Sequence, residues 1–193
     1  MTNKAKADKI YDELLVLRCQ DGELMALEIL VQHWQLPLLK FASIVCRNNV
    51  YRNDDLAREA VQESWIAIIR SIRKLRDPAR FRYWALRIVH RKSIDLLRLS
   101  KKRSESEMNC EPIPEEKSRD LDGFEDQQQI ATLLQSLSEA HRTVLALHYL
   151  HDMALTEISE LLEVPDGTVK SRLHHARQAF KNSLQQQEDQ NDE

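Results

Sequence analysis

Three glycines in 193 residues constrain this chain more tightly than any other feature. A sheet-rich fold reverses direction many times, and tight turns draw on Gly, Pro and Asn for their unusual backbone angles. With only five prolines besides, a large β-sheet lacks reversal points, which leaves an all-α fold. The length suits one large domain or two small ones, at roughly 100–200 residues per domain.

Apolar spacing supports helices. Val61, Trp65, Ile68, Ile69, Ile72 and Leu75 form one stripe within 56–75, as an amphipathic helix requires. A second helix is predicted over 81–99, with Trp84, Ile88, Ile94 and Leu97 inward, after a break at Asp77-Pro78. Residues 22–47 predict one or two earlier helices, with Pro37 as a kink or boundary. Residues 104–126, SESEMNCEPIPEEKSRDLDGFED, have little to bury and no helical period, and read as a flexible acidic linker. Two small helical domains are therefore expected, 1–103 and 127–185, with 186–193 as a disordered tail.

Cys19, Cys46 and Cys110 are too sparse for a disulfide framework and form no C-x-x-C pair. They read as reduced thiols of a cytoplasmic protein. The N-terminus has no signal-peptide core, and the uninterrupted apolar runs are too short for a membrane span. No Gly-rich phosphate loop, H-E-x-x-H or nucleophile motif is present, so neither an enzyme nor a cofactor is expected. His148 and His151-Asp152 have metal-ligand chemistry, but surface or core histidines are the ordinary explanation and no metal is expected.

The formal net charge of -3 speaks against a tail-driven polyanion binder, yet it averages opposed segments. Residues 70–103 hold 13 basic and 2 acidic side chains, for +11, whereas 104–126 carry -7. Within the basic stretch, Phe81, Tyr83 and Trp84 lie among the arginines. Cations follow phosphates and aromatics stack on unpaired bases, so this pattern points to single-stranded or opened nucleic acid. In the preceding helix Asp54, Asp55, Glu59, Gln62 and Glu63 make a polar face, which is either solvated or a protein-contact surface.

The C-terminal half carries ALTEISELLEVPDGTVKSRLHHARQAF over 154–180. Ser138 and Glu139 open a helix that runs through Leu150. Thr156 is placed to cap the next, whose apolar face is Ile158, Leu161 and Leu162. Val164-Pro165-Asp166-Gly167 breaks it, and the following helix buries Val169, Leu173, Ala176 and Phe180. Thr168, Lys170, Ser171, Arg172, His174, His175 and Arg177 remain outward. Two short helices about a tight turn, the second with a polar and basic outer face, form a helix-turn-helix that can enter the major groove. The helix start near Gly167-Thr168 also offers N–H groups to a phosphate.

In this order the two halves resemble the sigma-70 family of bacterial RNA polymerase sigma factors, and the extracytoplasmic-function (ECF) class in particular. DLAREAVQESWIAIIR (55–70) resembles region 2.2, LRDPARFRYWALRIVHRKSIDLLRLSKKR (75–103) regions 2.3 and 2.4, and 130–183 region 4, with GTVKSRLHHAR (167–177) the most specific stretch. The resemblance implies an alternative sigma factor that binds core polymerase at its clamp helices and flap. It implies recognition of -35 and -10 promoter elements, with help in opening the -10 DNA. Asp55, Glu59, Gln62 and Glu63 would dock on polymerase. Arg80, Phe81, Trp84, Arg87, Arg91, Lys92, Asp95 and Arg98 would line the -10 DNA, with Asp95 alternatively pairing with Arg91 or Arg98. Thr168, Lys170, Ser171, Arg172, His174, His175 and Arg177 would meet the -35 DNA. An anti-sigma factor is a further implied partner, and the acidic linker resembles the segment that enters the polymerase cleft. Arg58, Arg91 and His175 depart from the family, which often has an acid, an asparagine and an arginine there. The alternative is a helix-turn-helix regulator that is not a polymerase subunit.

Overall fold

A computed structural model describes residues 3–47, 54–106, 134 and 137–191. The elements are α1 (Asn3–Gln20), α2 (Leu24–Cys46), α3 (Asp54–Ser71), two 3-10 turns (Ile72–Lys74 and Pro78–Arg80), α4 (Phe81–Ser106), α5 (Glu139–Leu145), a π-helical turn (Ala146–Leu150), α6 (Leu155–Leu162) and α7 (Asp166–Asn191). Every regular element among the described residues is helical, as the glycine scarcity predicts.

The centre is α2. Ala26, Leu30, Trp34, Leu38, Phe41, Ala42, Val45 and Cys46 give it a buried stripe that packs on α1, α3 and α4. It is long and apolar enough to cross a bilayer by length and composition, but this stripe belongs to the core of the helical bundle. Pro37 neither ends nor divides it. The proline removes one backbone hydrogen bond and costs about 3 kcal/mol. Burying Leu30, Trp34, Leu38 and Phe41 is worth about 1.5–3 kcal/mol each, which outweighs that loss.

Polar side chains fix how α1–α4 meet. The Trp34 indole donates to Asp12 Oδ1 at 2.9 Å, and the Trp65 indole donates to Gln35 Oε1 at 2.6 Å. The Gln20 amide donates to the Ile72 and Leu75 carbonyls at 2.9 and 2.8 Å, satisfying groups freed where α3 ends. Asp77 accepts from the Ala79 N–H at 3.1 Å, and Pro78 stands at the first position of the turn leading into α4.

Several boundaries differ from the sequence expectations. The helix α4 continues to Ser106, past the expected domain edge at 103, through residues of fair helix propensity. Residues 107–133, 135 and 136, which include most of the expected linker, lie outside the described residues. The expected tail is instead helical to Asn191, because its Gln and Glu residues are good helix formers that simply prolong α7. Ala154, and not Thr156, is the N-cap of α6. The Glu157 carboxylate accepts from the Ala154 N–H at 2.8 Å, which satisfies the helix start without a hydroxyl. The break before α7 centres on Glu163, held at φ 57°, so Asp166 and Gly167 already belong to the helix.

The two halves share their interior. Val144, Ala146, Leu147, Met153, Ile158, Leu161, Val169 and Leu173 belong to the same buried cluster as the core of α1–α4. Phe41 meets His151 edge-on at 5.4 Å between ring centres. The Arg142 guanidinium donates to the Leu137 carbonyl at 2.6 Å and to the Arg47 carbonyl at the end of α2.

Candidate nucleic-acid interface

The helix α7 carries the expected recognition surface. Val169, Leu173 and Ala176 are buried, which rotates Lys170, Ser171, His174, His175 and Arg177 to the exposed side and leaves Thr168 and Arg172 half-buried. Phe180, expected inward, is only half-buried because it lies beyond the reach of α5 and α6. Arg177 is held in place: its Nε–H donates to the Tyr149 hydroxyl at 2.7 Å, and its guanidinium lies over that ring at 5.5 Å. Tyr149 escaped sequence reading because the π turn, which carries one residue more per turn than an α-helix, shifts it outward. His141 stands 6.3 Å from His175 between ring centres. Burial, then the nearby His175 and Arg172 charges, hold its imidazole below the usual value.

The basic helix α4 is less uniform. Phe81, expected against DNA, is fully buried. Its ring packs edge-on against Trp34 at 5.8 Å and near Trp84 at 6.1 Å, so it is a core residue that the first turn of α4 points at α2. Trp84 is half-buried. Arg80, Arg91, Asp95 and Arg98 are exposed, and Arg87 and Lys92 are intermediate. Asp95 pairs with Arg98 at 3.9 Å, one of the two pairings expected for it.

The polar face of α3 keeps Asp55, Glu59 and Gln62 exposed. Glu63 is different, since Lys92 Nζ donates to its carboxylate at 2.8 Å and ties the expected docking face to the expected DNA face. Ile69, expected in the inward stripe, is 46% exposed, and Ile66 is 51% exposed. The predicted stripe included adjacent positions 68 and 69, and a helix turns about 100° between them, so only Ile68 reaches the core. The outer face of α3 therefore combines carboxylates with two apolar side chains, a composition suited to packing against another helix.

Several basic residues of α4 and of the 3-10 turn before it contact the C-terminal half. Arg80 Nη2 meets Glu160 Oε2 at 2.6 Å. Arg87 and Arg91 both meet Glu163 Oε1, the latter at 2.5 Å. The Arg87 hydrogen bond and the Arg91 charge hold the Glu163 carboxyl below the usual carboxylate range. Arg82 donates to the His151 carbonyl, and His90 lies 3.8 Å from Glu139, whose carboxyl it lowers by hydrogen bonding. No sequence pattern marks these partners, because residues 49–80 positions apart meet only through the tertiary fold.

Comparison with known proteins accords with this two-part layout. Residues 30–103 match the family described as Sigma-70 region 2, and residues 127–180 match Sigma-70, region 4. The chain is 30% identical to the ECF RNA polymerase sigma-E factor of Haemophilus influenzae, over 93% of this chain and 98% of that one. It is 28% identical to the ECF RNA polymerase sigma factor SigW of Bacillus subtilis, over 70% and 77% of the two chains. Among solved structures it is similar in fold to CnrH in complex with the cytosolic domain of CnrY (TM-score 0.64, 21% identity, 91% of this chain and 97% of that one). It is likewise similar to the sigma factor RpoE of Bartonella quintana in complex with the anti-sigma factor NepR (TM-score 0.65, 17% identity, 80% and 95%). With both regions in order, and a relative at 30% identity spanning nearly its full length, the chain belongs to the ECF class of the sigma-70 family.

Proposed function

We propose that this alternative sigma factor directs transcription initiation through two DNA-reading surfaces and one polymerase-docking surface, assigned as follows. The outer face of α7 reads the -35 element: Lys170, Ser171, His174 and Arg177 are exposed on one side of a helix of groove-entering form. The α4 surface holds the -10 element, with Trp84 for an unstacked base and Arg80, Arg87, Arg91, Lys92 and Arg98 for phosphates. The outer face of α3 docks on the polymerase clamp helices, with Ile66 and Ile69 adding apolar area beside Asp55, Glu59 and Gln62. The C-terminal half also meets the polymerase flap.

The role is that of a binding subunit. The energy that opens the duplex comes from polymerase contacts, trapped bases and phosphate neutralisation, and the chain itself makes and breaks no covalent bond. It acts where core polymerase and the chromosome are, in the cytoplasm. Because CnrH and RpoE were each solved with a bound partner protein, an inhibitory partner of that kind belongs to the reading.

The observation that carries it is the pairing, in one chain and in family order, of region 2 and region 4 matches with a +11 stretch that includes most of α4. A regulator that only bound DNA would leave the α3 face without a role. Run-off transcription from genomic promoter fragments, with core polymerase plus this chain, tests it. Promoter-specific transcripts that depend on the chain are expected, and their absence from every fragment overturns the reading.

A further inference from the structure

The ion pairs between the halves lie where the proposed -10 surface needs its cations. Glu160 stands in the last turns of α6, the first helix of the helix-turn-helix, and Glu163 is the residue that caps its C-terminal end. Between them they engage Arg80, Arg87 and Arg91, three arginines assigned to -10 phosphates. A carboxylate on a guanidinium makes the same kind of charge-assisted hydrogen bond as a phosphate. Glu163 meets two of these arginines from a left-handed backbone conformation, which side chains other than glycine seldom adopt.

This arrangement conflicts with promoter engagement. At roughly 3.4 Å per base pair, elements centred about 25 base pairs apart lie about 85 Å apart along the duplex. Arg91 and Glu163, from the -10 and -35 halves, are 2.5 Å apart. A chain in this form cannot occupy both elements.

We propose that Glu160 and Glu163 form an autoinhibitory latch, two carboxylates of the -35 half standing in for DNA phosphates on the -10 half. The latch rests on the sigma reading above and adds a self-contained control to it. The free chain covers its own -10 cations, so DNA must compete with an intramolecular anion. The contacts are exposed, with 58% and 59% of the two glutamate side chains accessible, so each is individually weak. The ion pairs add to the buried interior that the halves share, and polymerase docking on the adjacent α3 can part them.

The test compares the full-length wild type with E160Q/E163Q in two measurements: radius of gyration by small-angle X-ray scattering, and affinity for a short fluorescent single-stranded DNA of mixed sequence by anisotropy. A control, E13Q/E28Q, removes the same formal charge from the other half. The latch predicts that E160Q/E163Q keeps the compact radius set by the shared interior and binds about fivefold tighter, from the small worth of exposed ion pairs, while the control matches wild type. Expansion, unchanged affinity, or equal tightening by the control overturns it. Run-off transcription with wild type in parallel reports on the sigma reading alone. Promoter-dependent transcripts alongside an unchanged E160Q/E163Q would remove the latch and leave that reading standing.

Discussion

Acidification should loosen this protein through His151. The residue is 7% exposed, between the Phe41 ring on α2 and the Arg82 guanidinium on α4. Burial first, and the Arg82 charge second, push its imidazole down to about 4, while neighbouring Asp152 pulls weakly the other way. Nε2 has no hydrogen-bond partner among the described residues. The sign follows from where the proton goes. The packed chain holds His151 neutral, whereas an unfolded or opened chain lets it protonate near 6.5, so the less structured state binds more protons as pH falls. The stabilising contribution is whole above about pH 6.5 and is lost progressively down to about pH 4. With the two values at 6.5 and about 4, linkage predicts a loss of about 2 kcal/mol between pH 7.5 and 5.0. At a urea dependence of about 2 kcal/mol per molar, the unfolding midpoint drops by about 1 M. Other groups are shifted by the fold, His141 in the same sense and the burial-raised Asp12 in the opposite one, so the informative quantity is a difference. Urea unfolding followed by tryptophan fluorescence at both pH values, for wild type and His151→Leu, isolates it. The leucine variant should keep most of its midpoint at pH 5.0. Equal acid losses in the two proteins would refute the reasoning.

Three further outcomes are expected. Arg142 is 3% exposed and donates to the Leu137 and Arg47 carbonyls, so Arg142→Ala should cost about 3 kcal/mol in chemical denaturation through lost charge-assisted bonds and packing; a cost within 0.5 kcal/mol, roughly what an ordinary surface site shows, contradicts that role. Tyr149→Phe removes the acceptor of the 2.7 Å bond from Arg177 and keeps the ring, so binding of region 4 to a -35 duplex should weaken about threefold with the fold unchanged by circular dichroism; unchanged affinity would mean that Arg177 needs no such support. Cys46 is buried, and burial raises its thiol to about 11. It should therefore resist a thiol-reactive dye at pH 8 until urea unfolds the chain, and rapid labelling of the native protein, mapped to Cys46 by mass spectrometry, would show its surroundings to be open.

Local periodicity was a sound guide on α3 and α7, but on α4 the expected inward residues Trp84, Ile88, Ile94 and Leu97 are only half-buried, while Phe81, Leu86 and Val89 fill the core. The buried positions Val61, Trp65, Ile68 and Ile72 of the α3 stripe, and Val169, Leu173 and Ala176 of α7, follow from spacing alone. It misled where two apolar neighbours competed for one inward direction, as with Ile68 and Ile69. Pro37 could not be read as harmless, because what overrides it is packing on α1, α3 and α4. Phe81 looked like a stacking aromatic among arginines, yet its place at the first turn of α4 aims it at Trp34. A charge count shows that 70–103 is basic, but only the fold reveals that Glu160 and Glu163 lie on it. Such contacts join residues that nothing in the linear order connects.

The interior common to both halves has a practical consequence for experiments on fragments. A chain cut near residue 103 would strip Phe41 of the ring that covers it and leave the Arg47 carbonyl without the Arg142 guanidinium. The complementary piece would lay bare Met153 and His151. Neither fragment inherits the solubility or the cooperativity of the parent, since each exposes apolar surface that the other normally seals. Pull-downs with isolated halves would therefore capture partners through newly opened interior faces. Point substitutions in the intact protein are the sounder way to assign its contacts.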